Sequence, residues 1–260
     1  MSNGVLKMKI YFHRDFLEHY AHDPAAEPGR LEPALAVIER LYPIHEPRSA
    51  TEEEILRVHT ARHWRNISED NLLYNTALLS AGASLEAADT AAYGKHAFAL
   101  CRPPGHHASA DSCWGFCYFN NIAIAVSHLL DHRKINSALI VDFDLHFGDG
   151  TANIFRGNEA VTFWHSRESS RLHYLENLKR DLREVKTDLV AVSAGFDRGI
   201  NDWGGMLTVE DYRTIGSLLG NFSRERCEGR LFAVLEGGYN AAALAKNIEA
   251  FLQGLQCSKS

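Results

Sequence analysis

The chain reads as a three-layer α/β/α domain on a central, mostly parallel sheet, and three observations predict it. Short runs that are apolar throughout, such as "SALIV" and "LVAVSA", alternate with longer segments of helical periodicity. Strands that read as continuous apolar runs are those buried on both faces, as in parallel sheets covered by helices. Each run also ends in polar or glycine-rich residues, and ligands of open α/β sheets bind at that end. The 260 residues, 45% of them hydrophobic, suffice for one sizeable core. With no internal repeat, low-complexity tract or Pro/Gly/Ser-rich linker, residues 1–260 read as a single domain.

Element by element, "VLKMKIYF" predicts a first strand and "GRLEPALAVIERL" an amphipathic helix. "YNTALLSAGASLEAADTA" is a helix of small residues suited to close packing, and "HAFALC" is the next strand. "NNIAIAVSHLLDH" opens on asparagine, a residue that caps helices, and leads into the strand "SALIVDFDL". The strand "AVTFW", the helix "LHYLENLKRDLREV" and the strand "TDLVAVSA" follow. "TVEDYRTIGSLLGNF" begins with the Thr-x-x-Asp spacing of a helix start, "RLFAVLE" is the last strand, and "ALAKNIEAFLQGL" the last helix.

Composition excludes several classes of function. The formal net charge of −6 offers no basic footprint for nucleic acid. No segment reaches the ~18 consecutive apolar residues of a membrane span, and the N-terminus has no long apolar signal region. Cys101, Cys113, Cys117, Cys227 and Cys257 are an odd number in a chain that needs no staples, so reduced thiols and a cytoplasmic location are expected. Oligomeric state leaves no trace in the sequence.

The chemistry concentrates where strands end. "VDFDLHFGDGT" closes an apolar run with Asp142, Asp144, His146 and Asp149. Strand alternation would put Asp142, Asp144 and His146 on one face. Buried carboxylates are costly unless paired or bound to a cation, so a metal explains this strand end better than loop amides do. Asp197 in "VSAGFD" is the candidate third ligand, and two carboxylates with one imidazole leave a coordination position open for catalysis. Zinc and ferrous iron both suit such a donor set. "RPPGHH" delivers His106 and His107 to the same crevice, with Asp142 and Asp149 as spare carboxylates to fix tautomer and charge. "LEGGY" brings Tyr239 after Gly237 and Gly238, where its hydroxyl would meet a developing oxyanion. Metal, histidines and tyrosine together predict hydrolysis, and neither a serine nucleophile elbow nor a phosphate-binding loop is present.

"RPPGHHA", "GFCYFNNIAIA", "VDFDLHFGDGT", "VSAGFD" and "LEGGY" stand in the order found in the histone deacetylase family, which this chain resembles from about its first strand to its final helix. The resemblance implies the arginase/deacetylase fold and hydrolysis of an N-acyl amine such as acetyl-lysine, an acetylpolyamine or another small acylated amine. It matches Asp144, His146 and Asp197 to the zinc ligands. His107 matches the general base and acid paired with Asp149, and His106 its electrostatic neighbour paired with Asp142. Tyr239 matches the carbonyl-polarising tyrosine. Gly115 and Phe116 match one wall of the acyl-lysine channel, and Gly238 is a candidate substrate-binding position beside Tyr239.

Departures from the family pattern sit on the substrate-facing rim. A long loop that carries the opposite aromatic wall is reduced to "RESSRLHYLENLKRDLREVK", the region after "VHTARHW" is shortened, and "AEPGRL" stands where the family has "HPERP". The serine that helps hold a structural monovalent cation (K+) is not evident in "TFWHS". These losses predict a shallow, open pocket with intact chemistry, suited to a bulky acyl group, a rigid small molecule, or a substrate whose partner surface completes the channel. Two other readings remain at this point: a ureohydrolase with a manganese pair, and an acyl-amine binding protein that has lost turnover.

Overall fold

The computed structural model describes residues 8–257. Seven strands form one sheet in the order β2-β1-β3-β7-β6-β4-β5. They are β1 (Lys9–Tyr11), β2 (Ile44–His45), β3 (Ala97–Ala99), β4 (Ala138–Asp142), β5 (Val161–His165), β6 (Leu189–Ala194) and β7 (Leu231–Leu235). Every strand pairing among the described residues is parallel, so the expected "mostly parallel" sheet is parallel throughout. The first predicted strand begins at Val5, and its residues before Met8 lie outside the described residues.

The helices are α1 (Glu32–Ile38), α2 (Glu52–Ile55), α3 (Ala61–Ile67), α4 (Asn71–Ala92), α5 (Asn121–Asp131), α6 (Asp149–Ile154), α7 (Arg171–Glu184), α8 (Val209–Arg226) and α9 (Ala241–Gln256). Short α2, α3 and α6 and two-residue β2 escaped the sequence reading because one or two turns give too little periodicity to detect. The long helices start on the residues that satisfy their free amides. Asn120 accepts from Ala123 N–H at 3.0 Å, Asn240 from Ala243 N–H at 3.1 Å, and Thr208 with Asp211 closes a reciprocal cap on α8.

Parallel pairing has one functional consequence: the C-terminal ends of β3, β4, β5, β6 and β7 all lie along the same sheet edge. Directly beneath that edge, Phe143 and Phe196 pack against Tyr212 and Phe251, with ring centroids 5.1–6.0 Å apart. All four are fully buried. Phe143 lies between Asp142 and Asp144, and Phe196 directly precedes Asp197. Removing either ring is worth about 3–5 kcal/mol, so the core fixes the backbone from which the acidic residues project.

His59, unassigned from sequence, lies 3% exposed in the turn between α2 and α3. Its Nε2 accepts the Asn120 backbone N–H at 2.8 Å, which leaves the Nδ1 hydrogen to donate to Ser109 O at 3.0 Å. It thus ties the segment after His107 to the start of α5. Burial, and then the nearby His63, pushes His59 down to about 3 from the ordinary 6.5. Between pH 3 and 6.5 the unfolded chain binds more protons at this residue than the folded one, so stability rises with pH across that window. The expected cost on acidification is up to about 1.4 kcal/mol per pH unit for this one group. Urea unfolding of a His59→Gln variant should show lower stability at pH 7.5 but a flatter decline below pH 6.5. An unchanged slope would assign the titration elsewhere.

Candidate active site

β4 stops at Asp142, and the chain then turns, so Asp142, Asp144 and His146 do not share a strand face as alternation predicts. Carboxylates build the turn instead. Asp142 Oδ1 accepts the Asp144 N–H at 3.1 Å, and Asp144 Oδ1 accepts the His146 N–H at 2.9 Å. From neighbouring strand ends, Gly237 N–H donates to Asp144 Oδ2 at 2.9 Å and Asp197 Oδ1 accepts from Leu145 N–H at 2.8 Å. Backbone amides thus hold both oxygens of Asp144 but only Oδ1 of Asp197, whose Oδ2 is left open.

The side chains converge. One donor atom each from Asp144, His146 and Asp197 lies within 4.8 Å of the others. His146 Nδ1 is 3.4 Å from Asp144 Oδ1 and 3.2 Å from Asp197 Oδ2, yet that buried Oδ2 has no hydrogen-bond partner. Burial and the Asp144 carboxylate push Asp197 up to about 7, while the side chains of Asp144 and Asp197 raise His146 to about 10. Both shifts report a shortage of positive charge at one point. Two buried carboxylates, one oxygen of them orphaned, and an imidazole fit a divalent cation with an open coordination position.

The histidine pair is split by its partners. His106 Nδ1 lies 3.0 Å from Asp142 Oδ2, and His107 Nδ1 lies 2.6 Å from Asp149 Oδ1, with the rings 4.1 Å apart. Burial opposes charge on His106, but Asp144, Asp142 and Glu236 outweigh it and raise that imidazole well above its ordinary value. Burial and then the His106 charge push His107 down to about 4. At neutral pH one ring is a cation and its neighbour a free base. His107 packs over Gly115, whose φ of +59° and lack of a Cβ permit the approach.

Several supporting residues carry no sequence signal. Trp114 stacks on His107 at 3.9 Å and its indole N–H donates to the Asp149 carboxylate at 2.9 and 3.2 Å. Glu236 accepts the N–H groups of Gly105 (2.7 Å) and His106 (3.2 Å), which pins the "RPPGHH" turn from below. Asp202 accepts the N–H groups of Tyr239 and Asn240, both at 2.8 Å. Arg30, from the divergent "AEPGRL", donates to Gly238 O at 2.8 Å and Glu236 O at 2.7 Å beneath the Tyr239 ring. Burial and the nearby Asp144 carboxylate raise the Tyr239 hydroxyl far above its ordinary range, so it stays a hydrogen-bond donor.

A cavity of about 120 Å³ joins these groups, lined by Pro104, His106, His107, Trp114, Gly115, Phe116, His146, Trp203, Gly237 and Tyr239. Gly115 and Phe116 line it as expected, whereas Gly238 does not. That residue, with φ +121°, turns the backbone under Phe196 and Leu244 and leaves the lining to Gly237. Trp203, from the loop after β6, stacks on Tyr239 at 3.9 Å and supplies an aromatic that the shortened loop after β5 lacks. A separate groove of about 430 Å³ lies beside the site, lined in part by Phe147, Arg167 and Met206.

Comparison with known proteins agrees with this geometry. The family model of the histone deacetylase domain matches residues 25–174 and 166–255. The chain belongs to the histone deacetylase family. A probable deacetylase of Methanothermobacter thermautotrophicus is 31% identical over 88% of this chain and 79% of its own length. The human polyamine deacetylase HDAC10 is 29% identical over 90% of this chain, which spans only 45% of that protein. The crystal structure of the HDA15 HD domain superimposes with a TM-score of 0.82 over 96% of this chain and 88% of that one, at 24% identity, and shows the shared fold. A metal cofactor is thus implied by the histone deacetylase family as well as by the donor set.

One substitution tests the acidic cluster directly. A Cβ on Gly237 would stand 2.5 Å from Asp144 Oδ2 and 2.9 Å from Asp197 Cγ. Gly237→Ala should therefore separate the ligands and weaken divalent-metal binding about 10- to 100-fold, the range for changes just outside a metal's ligands. Calorimetric metal titration reads this, and unchanged affinity would mean the cation binds elsewhere.

Proposed function

We propose that this chain is a zinc-dependent deacetylase that hydrolyses a slender N-acyl amine, with acetyl-lysine and acetylated polyamines as the leading substrate classes. The observation that carries the reading is the convergence, on one small cavity, of a three-donor metal cluster, a neutral His107 and a protonated Tyr239 hydroxyl. The lining favours a narrow acyl chain over the bulky group that the shortened rim suggested. Deacetylase names among the relatives, one of them a polyamine deacetylase, support the same class of reaction.

Asp144, His146 and Asp197 would hold the zinc, which supplies Lewis-acid polarisation of the amide carbonyl and a lowered pKa for water. His107 keeps its Nδ1 hydrogen on Asp149, so Nε2 is the lone pair that takes a proton from the attacking water. Asp149 and the Trp114 indole hold that ring in place as it becomes a cation. His107 then returns the proton to the departing amine nitrogen. His106, already cationic beside Asp142, keeps its neighbour neutral in the resting site. Tyr239 donates to the oxyanion that forms as the carbonyl carbon becomes tetrahedral. The manganese pair of a ureohydrolase has weak support. The second candidate cluster, His106, Cys117 and Glu236, is already committed, with His106 to Asp142 and Glu236 to Gly105, His106 and Ser193.

Zinc-loaded protein should release acetate from an acetyl-lysine peptide, an acetylated polyamine or both, and a chelator should abolish the release. Tyr239→Phe should lower kcat by about 100- to 1,000-fold with little change in KM, as for loss of one oxyanion donor. Full activity in that variant would remove Tyr239 from the mechanism, and chelator-resistant activity would remove the metal.

A further inference from the structure

Arg198 directly follows the candidate ligand Asp197 and is 4% exposed. A buried guanidinium ordinarily faces a carboxylate, yet none of the ion pairs among the described residues involves Arg198. It bonds to backbone oxygens instead. Nε donates to Asp144 O at 2.9 Å, and Nη2 donates to Ser166 O at 2.8 Å and Leu145 O at 3.3 Å. Nη2 also lies 3.3 Å from His165 Nε2, and the guanidinium covers the Tyr174 ring at 5.1 Å. Two of these carbonyls belong to the turn that presents the metal ligands, and the third follows β5.

A ring of carbonyl oxygens around one positive centre is the way a protein holds a bare monovalent cation. The family resemblance implies such a cation, although the serine that would help hold it is not evident in "TFWHS". Ser166 is the one serine in that segment. Its carbonyl accepts from Arg198, and its hydroxyl accepts the Glu168 N–H at 3.2 Å. The residues present therefore do not fit a free K+ in this cradle: the carbonyls of Asp144, Leu145 and Ser166 already surround a side-chain cation.

We propose that Arg198 is a built-in cation, a positioning residue that replaces an external monovalent ion behind the metal cluster. Its charge sits on the carbonyl side of Asp144, and its hydrogen bonds fix the 144–145 peptides whose amides and carboxylate shape the metal site. The covalent link to Asp197 makes this cation permanent, whereas an ion exchanges with solvent.

The test compares thermal unfolding and divalent-metal affinity in KCl, NaCl and choline chloride at equal ionic strength. Neither readout needs a substrate, so failure here is separable from failure of the deacetylase reading. Wild-type protein should give the same midpoint and affinity in all three salts. Arg198→Ala should unfold at lower temperature and bind metal about 10- to 100-fold more weakly. Both losses should be partly and saturably reversed by K+ or by guanidinium at concentrations too low to denature. Arg198→Lys, which keeps a cation, should fall between the two. A saturable gain by the wild type in K+ over choline would show that an external ion still binds, and would overturn the proposal. So would an Arg198→Ala variant equal to wild type, or a loss that neither small cation reverses. If that variant does not fold, the wild-type salt comparison and Arg198→Lys still decide.

Discussion

Everything at this sheet edge depends on the enforced closeness of Asp144 and Asp197. Each is almost wholly buried, and each is fixed by a backbone amide from a neighbouring segment. Like charges brought together in a poorly hydrated place are unstable unless something positive stands between them. The core makes the arrangement unavoidable, since Phe143 and Phe196 anchor the two strand ends by burying their rings in one cluster. Folding energy from apolar packing thus holds a cavity of negative potential open for a cation.

That potential also sets the states of the catalytic side chains. His106 lies beside Asp142 and within 3.8 Å of Asp144, so it holds a proton despite complete burial. His107 is one residue further, and burial followed by the His106 charge pushes it down to about 4. Two adjacent histidines of the same chemistry are thus separated: carboxylates outweigh burial at one, and burial with the neighbour's charge prevails at the other. Raising the tyrosine hydroxyl out of its titration range is a third consequence of the same burial and the same acids.

Much of this was legible in the sequence because it lies in contiguous motifs with strong local signals. The major strands and long helices announce themselves by apolar runs and period, and the acids, histidines and tyrosine fall where those runs end. The shape of the Asp142–His146 turn was not legible, because alternation assumes a strand continues and the carboxylates themselves end it. Trp114, Trp203, Asp202, Glu236 and Arg30 act through contacts between segments far apart in the chain, and no spacing within one segment encodes them. Trp203 shows the limit most clearly. A shortened loop predicts a lost wall only if no other loop can supply an aromatic ring.

Charge accounting across the interior explains why the arginines sit where they do. Arg30, Arg102 and Arg198 are all buried, and each spends its hydrogen bonds on backbone carbonyls: Gly238 and Glu236 for Arg30, Phe16 and Glu27 for Arg102, Asp144 and Ser166 for Arg198. A guanidinium paired directly with Asp144 or Asp197 would occupy the position a divalent cation needs, and it would bind too tightly through two parallel hydrogen bonds to be displaced. Placed behind the carbonyls, the same charge steadies the peptides without filling the site. The three arginines brace the tyrosine strand end, the N-terminal loop and the turn of the candidate metal ligands, respectively. The negative potential at the mouth of the cluster is left for the cofactor, and that separation of bracing charge from binding charge lets a buried acidic site fold before the metal arrives.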